Sequence, residues 1–177
     1  MRAIAVRNNI HSAVTEAIFI KTKGVGTIRL GTEFSPQYTA GGNDALIDGI
    51  CGVEDFRVGH WQGYEQSDLD AVIDLGSVKN VERISMRFLQ DNNAWIFFPV
   101  KIDYEVSTDG ITYKNVFSGT TGVPPEQTGA VIRSVDQDVR RPLRFVRIRA
   151  KNIGMCPVWH KGSGEKAWLF ADEIVVQ

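Results

Sequence analysis

The amino-acid sequence predicts an all-β protein built as an antiparallel β-sandwich of the jelly-roll type. Short segments alternate apolar and polar residues with a period of two, as half-buried strands do. Clusters of Gly, Asp, Asn and Ser separate these segments, and no long amphipathic helical pattern interrupts them. Many short strands joined by turns, without helices between them, are typical of sandwiches and jelly rolls.

The clearest alternation lies in residues 81–89. Ile84, Met86 and Phe88 fall on one face of this segment, which predicts that this face packs in the core. The same pattern predicts strands over residues 101–107, 143–150, 71–75, 113–117 and 174–176. Turns are predicted at Asp74-Leu75-Gly76-Ser77 and Ser107-Thr108-Asp109-Gly110, since Gly supplies the positive φ of tight turns.

The leading residues differ from the rest of the chain. Residues 2–7 and 14–21 look like two strands and residues 27–30 like a third, before a Pro-containing segment ends the pattern. We therefore divide the chain into residues 1–33 and a main domain over residues 34–177. The leading piece is either the end of a preceding immunoglobulin-like domain or a set of strands added to the sandwich. Because the chain begins within a strand-like pattern, we expect it to be part of a longer protein.

Charge and hydropathy exclude several classes of protein. The formal net charge of the 177 residues is -1, whereas nucleic-acid-binding domains carry a basic excess or stripe. No apolar run reaches the roughly 18 residues that a membrane span needs, and no signal peptide follows Met1. We expect neither a nucleic-acid partner nor membrane insertion.

The two cysteines, Cys51 and Cys156, are too few for a disulfide framework and lack the spacing of a zinc site. Two interpretations stay open: a single disulfide between them, or two free buried thiols.

Three groups of motifs follow one another in a characteristic order. They are Tyr38-Thr39-Ala40-Gly41-Gly42-Asn43-Asp44-Ala45-Leu46-Ile47-Asp48-Gly49 with Trp61-Gln62-Gly63-Tyr64; Asp70-Ala71-Val72-Ile73-Asp74-Leu75-Gly76 with Val106-Ser107-Thr108-Asp109-Gly110; and Arg144-Phe145-Val146-Arg147-Ile148 with Trp168-Leu169-Phe170-Ala171-Asp172-Glu173-Ile174. Over residues 35–177 this order resembles the factor V/VIII (F5/8) type C or discoidin domain, a galactose-binding domain-like jelly roll related to family 32 carbohydrate-binding modules. More narrowly, it is similar to the copy at the C-terminus of bacterial chitobiases, which are β-N-acetylhexosaminidases of glycoside hydrolase family 20.

The resemblance implies a non-catalytic carbohydrate-binding module that targets a secreted enzyme to galactose- or N-acetylhexosamine-containing glycans. It further implies an upstream catalytic domain in the same polypeptide and an extracellular, periplasmic or cell-surface location. The alternative is a structural module that packs against its neighbouring domain and binds no glycan. Catalysis by this chain itself is not expected, because no catalytic motif of the nucleophile-elbow, zinc-protease or phosphate-loop kind is present.

The discoidin topology implies that loops at one rim of the sandwich meet the ligand. These loops carry all four tryptophans and several amides, a composition that suits a sugar, because aromatic rings cover its C–H face and polar groups bind its hydroxyls. The candidate ligand contacts are Trp159, His160, Trp95, Gln90, Asp91, Asn92, Trp61 and Gln62. For Trp61, packing in the core competes with this role, and Trp95 and Phe97 are equally suited to covering the end of the sandwich.

The resemblance also implies one structural calcium ion. Its ligands would be the carbonyls of Ala45, Ile50 or a neighbour, and Asp172, together with the carboxylates of Asp48 and Glu173. Six to eight hard oxygens of this kind are what Ca²⁺ prefers. The alternative is that Asp48 caps a turn and Glu173 pairs with an arginine.

Overall fold

The structure, a computed structural model, describes residues 2–16, 18–19 and 26–177. Strands dominate these ranges, and three short 3₁₀ helices join some of them. The strands are β1 (Arg2–Ala3), β2 (Val6–Arg7), β3 (Ile10–His11), β4 (Thr15–Glu16), β5 (Ile18–Phe19), β6 (Thr27–Leu30), β7 (Ile50–Cys51), β8 (Gln62–Glu65), β9 (Leu69–Gln90), β10 (Lys101–Ser107), β11 (Lys114–Gly119), β12 (Val131–Lys151) and β13 (Trp168–Val176). The helices are η1 (Asn43–Ile47), η2 (Phe56–Val58) and η3 (Asn92–Ala94). No helix in the described ranges is long and apolar enough to cross a membrane.

The predicted antiparallel β-sandwich is confirmed, and two long strands shape it. The first part of β9 pairs with β6 and with the second part of β12. The second part of β9 pairs with the first part of β12 and with β13. Each of the two strands therefore belongs to both layers, while β10 and β11 complete one layer and β8 the other.

The core lies between these two layers. Ile84, Met86 and Phe88 are fully buried in it, as their alternation predicts. The predicted strand over residues 101–107 coincides with β10, whose Ile102, Tyr104 and Val106 are also buried. Residues 143–150 lie within β12, 113–117 overlap β11, and 174–176 lie within β13.

The predicted turn at Asp74-Leu75-Gly76-Ser77 does not end a strand. Its local chemistry is present, because Gly76 has φ +79° and donates its N–H to Asp74 Oδ1 at 2.8 Å. However, β12 pairs with β9 on both sides of it: Phe145 lies opposite Asp74, and Leu143 lies opposite Lys79. The segment is a bulge inside β9, so the two strands predicted over residues 71–75 and 81–89 are one.

The leading residues form a small hairpin followed by strands that join the main body. β2 and β3 meet at Asn8-Asn9, both with positive φ, as a type I′ turn requires. β5 pairs with β7, and β6 pairs with β9. The predicted strand over residues 14–21 overlaps β4 and β5, and its residues 17, 20 and 21 lie outside the described ranges. Both cysteines are free and buried, so they form no disulfide.

Candidate functional site

Two loops, residues 91–100 and 152–167, lie together beside the start of β13, and we call them the tryptophan rim. Backbone bonds hold the first loop closed, since Asp91 and Ile96 exchange both N–H···O=C bonds at 3.0 and 3.1 Å. The second loop is tied to itself by bonds from Cys156 N–H to Glu165 and from Ala167 N–H to Gly154. Such internally bonded loops hold their side chains in fixed positions.

Trp159 is the rim tryptophan with a large free surface. Its side chain is 45% exposed. One edge of the indole rests against buried Phe97, with ring centroids 6.3 Å apart, and against the His160 ring at 5.7 Å. The neighbouring Val158 is 92% exposed. Trp159 thus offers an anchored apolar face to the solvent.

His160 is buried and joins the two loops of the rim. Its Nδ1 accepts the N–H of Gly162 at 3.0 Å, so the ring proton sits on Nε2, which donates to the carbonyl of Asn92 at 2.6 Å. Both ring nitrogens are therefore used within the protein. His160 positions Trp159 and has no polar atom left for a ligand.

Trp95 is half-buried and closes the rim from the other loop. It follows η3 with φ +64°, and its carbonyl accepts the N–H of Trp168 at 2.9 Å, which fixes it beside β13. Its ring lies over Gly162, where an added Cβ would stand 2.9 Å from the indole. Any larger residue at position 162 would therefore displace Trp95.

The amides predicted to meet a sugar are used inside the protein. Gln90 is fully buried, donates to the carbonyl of Pro124 at 3.0 Å and accepts the N–H of Phe98. Asn92 is buried and donates to the carbonyl of Gln127 at 3.2 Å. Asp91 stays half-exposed. Sequence reasoning missed residues 120–130 as a partner of the rim, although Pro124-Pro125 could have marked that loop as rigid.

Trp61 packs in a buried cluster with Leu89 and Phe170, whereas Phe97, on which Trp159 rests, belongs to another cluster. Trp61 is 1% exposed, and its indole N–H donates to the carbonyl of Val53 at 2.8 Å. Gln62 is fully buried, donates to the carbonyl of Gly42 and accepts the hydroxyl of Tyr64 at 2.6 Å. Neither side chain has surface to offer a ligand.

The second candidate site lies where η1 and β7 pack against β13. A bulge between Ala171 and Ile174 inserts one extra residue into β13. Asp172 and Glu173 lie in this bulge, and both are fully buried. We call these two residues, with the loop over residues 45–52, the carboxylate loop.

Each buried carboxylate has one satisfied oxygen and one orphan. Glu173 Oε2 accepts the N–H of Gly49 at 3.0 Å, and Asp172 Oδ2 accepts the N–H of Gly52 at 2.6 Å. Arg87 lies 3.0 Å from Asp172 Oδ2 and balances its charge. Asp172 Oδ1 and Glu173 Oε1 have no hydrogen-bond partner. The arginine pairs with Asp172 and not with Glu173.

Burial dominates the electrostatics of this site. It raises the pKa of Asp172 to about 6, against the opposing charge of Arg87, and raises the pKa of Glu173 to about 8. The negative charge of Asp48 adds to the rise at Glu173, so these carboxylates lie near one another. Asp48 itself caps the end of η1 and accepts the N–H of Ile50 at 2.7 Å.

The carboxylate loop suits a cation that takes carbonyl ligands. No group of three or more His, Cys, Asp or Glu side chains in the described ranges is placed to hold a metal. An orphaned buried carboxylate oxygen nevertheless carries a large desolvation cost that a cation would relieve. The set that the resemblance implies would add the carbonyls of Ala45, Ile50 and Asp172, and hard oxygens of this kind fit the chemistry of Ca²⁺.

Comparison with known proteins identifies one family profile, the F5/8 type C domain, which matches residues 31–170. No curated protein matches the sequence. Among solved structures, CpGH89CBM32-4 produced by Clostridium perfringens, in complex with GlcNAc-α-1,4-galactose, has a TM-score of 0.56 at 12% identity over 92% of this chain and 97% of its own. The CBM32 of AlyQ, in complex with 4,5-unsaturated mannuronic acid, has a TM-score of 0.54 at 14% identity over 89% of this chain and 98% of its own. These likenesses concern the fold.

Proposed function

Since this chain belongs to the F5/8 type C domain family, we propose that it is a non-catalytic carbohydrate-binding module whose ligand surface is the tryptophan rim. The observation that carries the proposal is Trp159, a large aromatic ring that is 45% exposed yet anchored on buried groups. An exposed indole on a rigid base stacks on the apolar face of a sugar ring with little loss of conformational entropy.

Fewer of the predicted polar side chains are free to bind a sugar than the sequence indicates. With His160, Gln90 and Asn92 used internally, the rim groups left to bind sugar hydroxyls are half-exposed Asp91 and exposed polar residues of the two loops, which include Asn93, Lys161, Ser163 and Glu165. A surface with one large exposed ring favours recognition of a single terminal sugar. It fits weak binding that gains strength when the module is tethered to an enzyme.

The wider context is proposed on the motif order alone. The module would be appended to a secreted β-N-acetylhexosaminidase of the chitobiase type, outside the cell or in the periplasm. It would direct the upstream catalytic domain to glycans that contain galactose or N-acetylhexosamine.

A glycan array with the isolated module tests the proposal. We expect binding to terminal galactose or N-acetylhexosamine, and about 5- to 150-fold weaker binding for Trp159→Ala, since a stacking contact on an aromatic ring contributes roughly 1–3 kcal/mol. Val158→Ala is the matched control beside it and should bind normally. Absence of binding to any glycan on the array would contradict the proposal.

We also propose that the carboxylate loop holds a structural Ca²⁺ ion. The ligands would be the carboxylates of Asp48 and Glu173 with the carbonyls of Ala45, Ile50 and Asp172, and the ion would supply the positive charge that Glu173 lacks. Its role would be to fix the loop, not to touch the glycan.

One observation favours a second candidate function, a packing module without a glycan ligand. Val158 is 92% exposed beside Trp159, and a pair of exposed apolar side chains is also what a domain interface presents. In that case the module would bind no glycan, and Val158→Ala and Trp159→Ala would both weaken its association with the neighbouring catalytic domain.

A further inference from the structure

The outer face of the layer that contains β6, β9, β12 and β10 carries a lattice of charged side chains. Arg147 donates to both carboxylate oxygens of Asp70, at 2.9 and 2.6 Å. Arg144 donates in the same way to both oxygens of Asp74, at 2.8 Å each. Arg149 pairs with Glu105 at 2.8 Å. This face is distinct from the tryptophan rim.

Arg29 is left out of this lattice. It stands on the edge strand β6, directly opposite Val72 of β9. The carboxylates nearest along β9 are those of Asp70 and Asp74, and both are already held by arginines from β12. The guanidinium of Arg29 is exposed and makes no ion pair or hydrogen bond with any residue in the described ranges.

Arg29 borders a cleft of about 440 Å³ with a mixed wall. Tyr113 and Gly110, from the turn that joins β10 and β11, line this cleft together with Gly31. Burial raises the pKa of Tyr113, and the charges of Arg147 and Arg29 oppose that rise, which places both cations near the phenol. The cleft therefore offers an aromatic ring beside an unpaired guanidinium.

A second cleft of about 470 Å³ shares Asp70 and extends to Lys151. The ammonium of Lys151 likewise pairs with no described residue. Arg29 on β6 is level with Arg147 on β12, with one strand, β9, between them. Lys151 lies four residues beyond Arg147 on β12. At strand spacings, Arg29 and Lys151 are about 13 Å apart along the strands and about 10 Å apart across them. One monosaccharide cannot reach both charges, but an oligomer can.

We propose that this outer face is a second binding site, for an acidic oligosaccharide whose charged groups pair with Arg29 and Lys151 and one of whose rings lies on Tyr113. A guanidinium whose donors have no partner among the described residues suits a carboxylate or a sulfate group. The site does not depend on the function proposed for the tryptophan rim.

Titration calorimetry at low salt with an oligogalacturonate tests this proposal. The uronate should bind, and its fully methyl-esterified form, which has the same sugars without the charges, should not. A sulfated galactan oligomer in a parallel titration tells a carboxylate preference from a sulfate preference. Failure of both acidic oligomers to bind would overturn the proposal.

Variants locate the site. Arg29→Gln should weaken the binding of the acidic oligomer about 10- to 100-fold, because a charge-assisted hydrogen bond is lost. Tyr113→Ala and Lys151→Gln should each weaken it as well. Arg133→Gln is the matched control, an exposed arginine on another part of β12 that also pairs with no described residue. Equal loss for Arg29→Gln and Arg133→Gln would show non-specific attraction and overturn the site.

A further variant separates the two sites. Trp159→Ala should leave binding of the acidic oligomer unchanged. If that variant abolished binding of the acid, the acidic sugar would belong to the tryptophan rim and the proposal for the outer face would fail. Because Arg29 and Lys151 are exposed, thermal melting of their variants should match the unmodified protein and exclude unfolding as the cause.

Discussion

The tryptophan rim and the carboxylate loop differ in which groups lack a partner within the protein: an exposed apolar ring in the first, and buried carboxylate oxygens in the second. In the rim and at the adjoining end of β9, the buried polar side chains of Gln90, Asn92 and His160 all have protein partners, and the exposed face of Trp159 has none. The carboxylate loop has no large exposed apolar side chain, and one buried oxygen each of Asp172 and Glu173 lacks a hydrogen-bond partner. The exposed ring suits a ligand that binds from solvent. The buried oxygens suit an ion that stays bound as part of the folded structure.

The largest effect on stability should come from Trp61, which belongs to neither of these two sites. Trp61→Ala removes a fully packed indole and its hydrogen bond to Val53. We expect a loss of roughly 3–5 kcal/mol in the free energy of unfolding, measured by urea denaturation. A loss below about 1 kcal/mol would show that Trp61 is not the packing residue that its burial indicates.

Removal of calcium should have the next largest effect. If the carboxylate loop binds Ca²⁺, a chelator should lower the melting midpoint, because an ion at 100 times its Kd stabilises the folded state by about 2.7 kcal/mol. Differential scanning calorimetry with and without the chelator measures it.

Glu173→Gln should abolish that difference, since it removes the orphaned carboxylate. Glu165→Gln, an exposed residue of the rim, is the control and should keep it. A melting midpoint that is the same with calcium and with chelator in the unmodified protein would contradict the calcium proposal.

His160→Ala should have an intermediate effect that links stability to binding. It leaves the buried N–H of Gly162 without a partner and removes one of the two donors to the Asn92 carbonyl, which keeps the N–H of Trp95, at a cost of about 1–3 kcal/mol. We also expect weaker glycan binding, because Trp159 loses a ring that supports it. Urea denaturation and the glycan array measure the two effects, and His11→Ala, on the leading hairpin, is the neutral control.

The smallest effect on stability should come from Trp159→Ala. Its ring is 45% exposed, so the free energy of unfolding should change by less than about 1 kcal/mol. The same variant should lose glycan binding, the reverse of Trp61→Ala. A large loss of stability for Trp159→Ala would mean that the rim is part of the core, and the contrast between the two tryptophans would disappear.

Much of the fold could be predicted because a half-buried strand produces a local pattern of alternating apolar and polar residues. The alternation around Met86 and along β10 depends on side-chain direction alone, and both predictions are confirmed. The bulge at Gly76 could not be predicted, because the turn chemistry there is genuine. Only the distant partner strand β12 shows that β9 continues through it.

Less of the site could be predicted, because exposure is a property of the packed structure. Composition places both Trp61 and Trp159 in loops, and the sequence leaves core packing open as an alternative for Trp61. Only the packed structure shows that Trp61 is buried and Trp159 is exposed. The amides of Gln90 and Asn92 look like sugar-binding groups in the sequence, yet they serve the carbonyls of a loop more than 30 residues away. The pair Asp172-Glu173, inside an otherwise apolar strand, was the clearest local signal of an unusual buried group.

The two strands shared by both layers have a consequence for how the domain folds and resists force. Neither layer is complete without β9 and β12, so one layer cannot form a finished sheet while the other is unfolded. Their pairing joins residues as far apart as Leu69 and Ala150, and such distant contacts slow folding because a long loop must close first. We expect a slow transition in which both layers appear and disappear together. Under tension, such a module would yield in a single step and would not peel apart sheet by sheet.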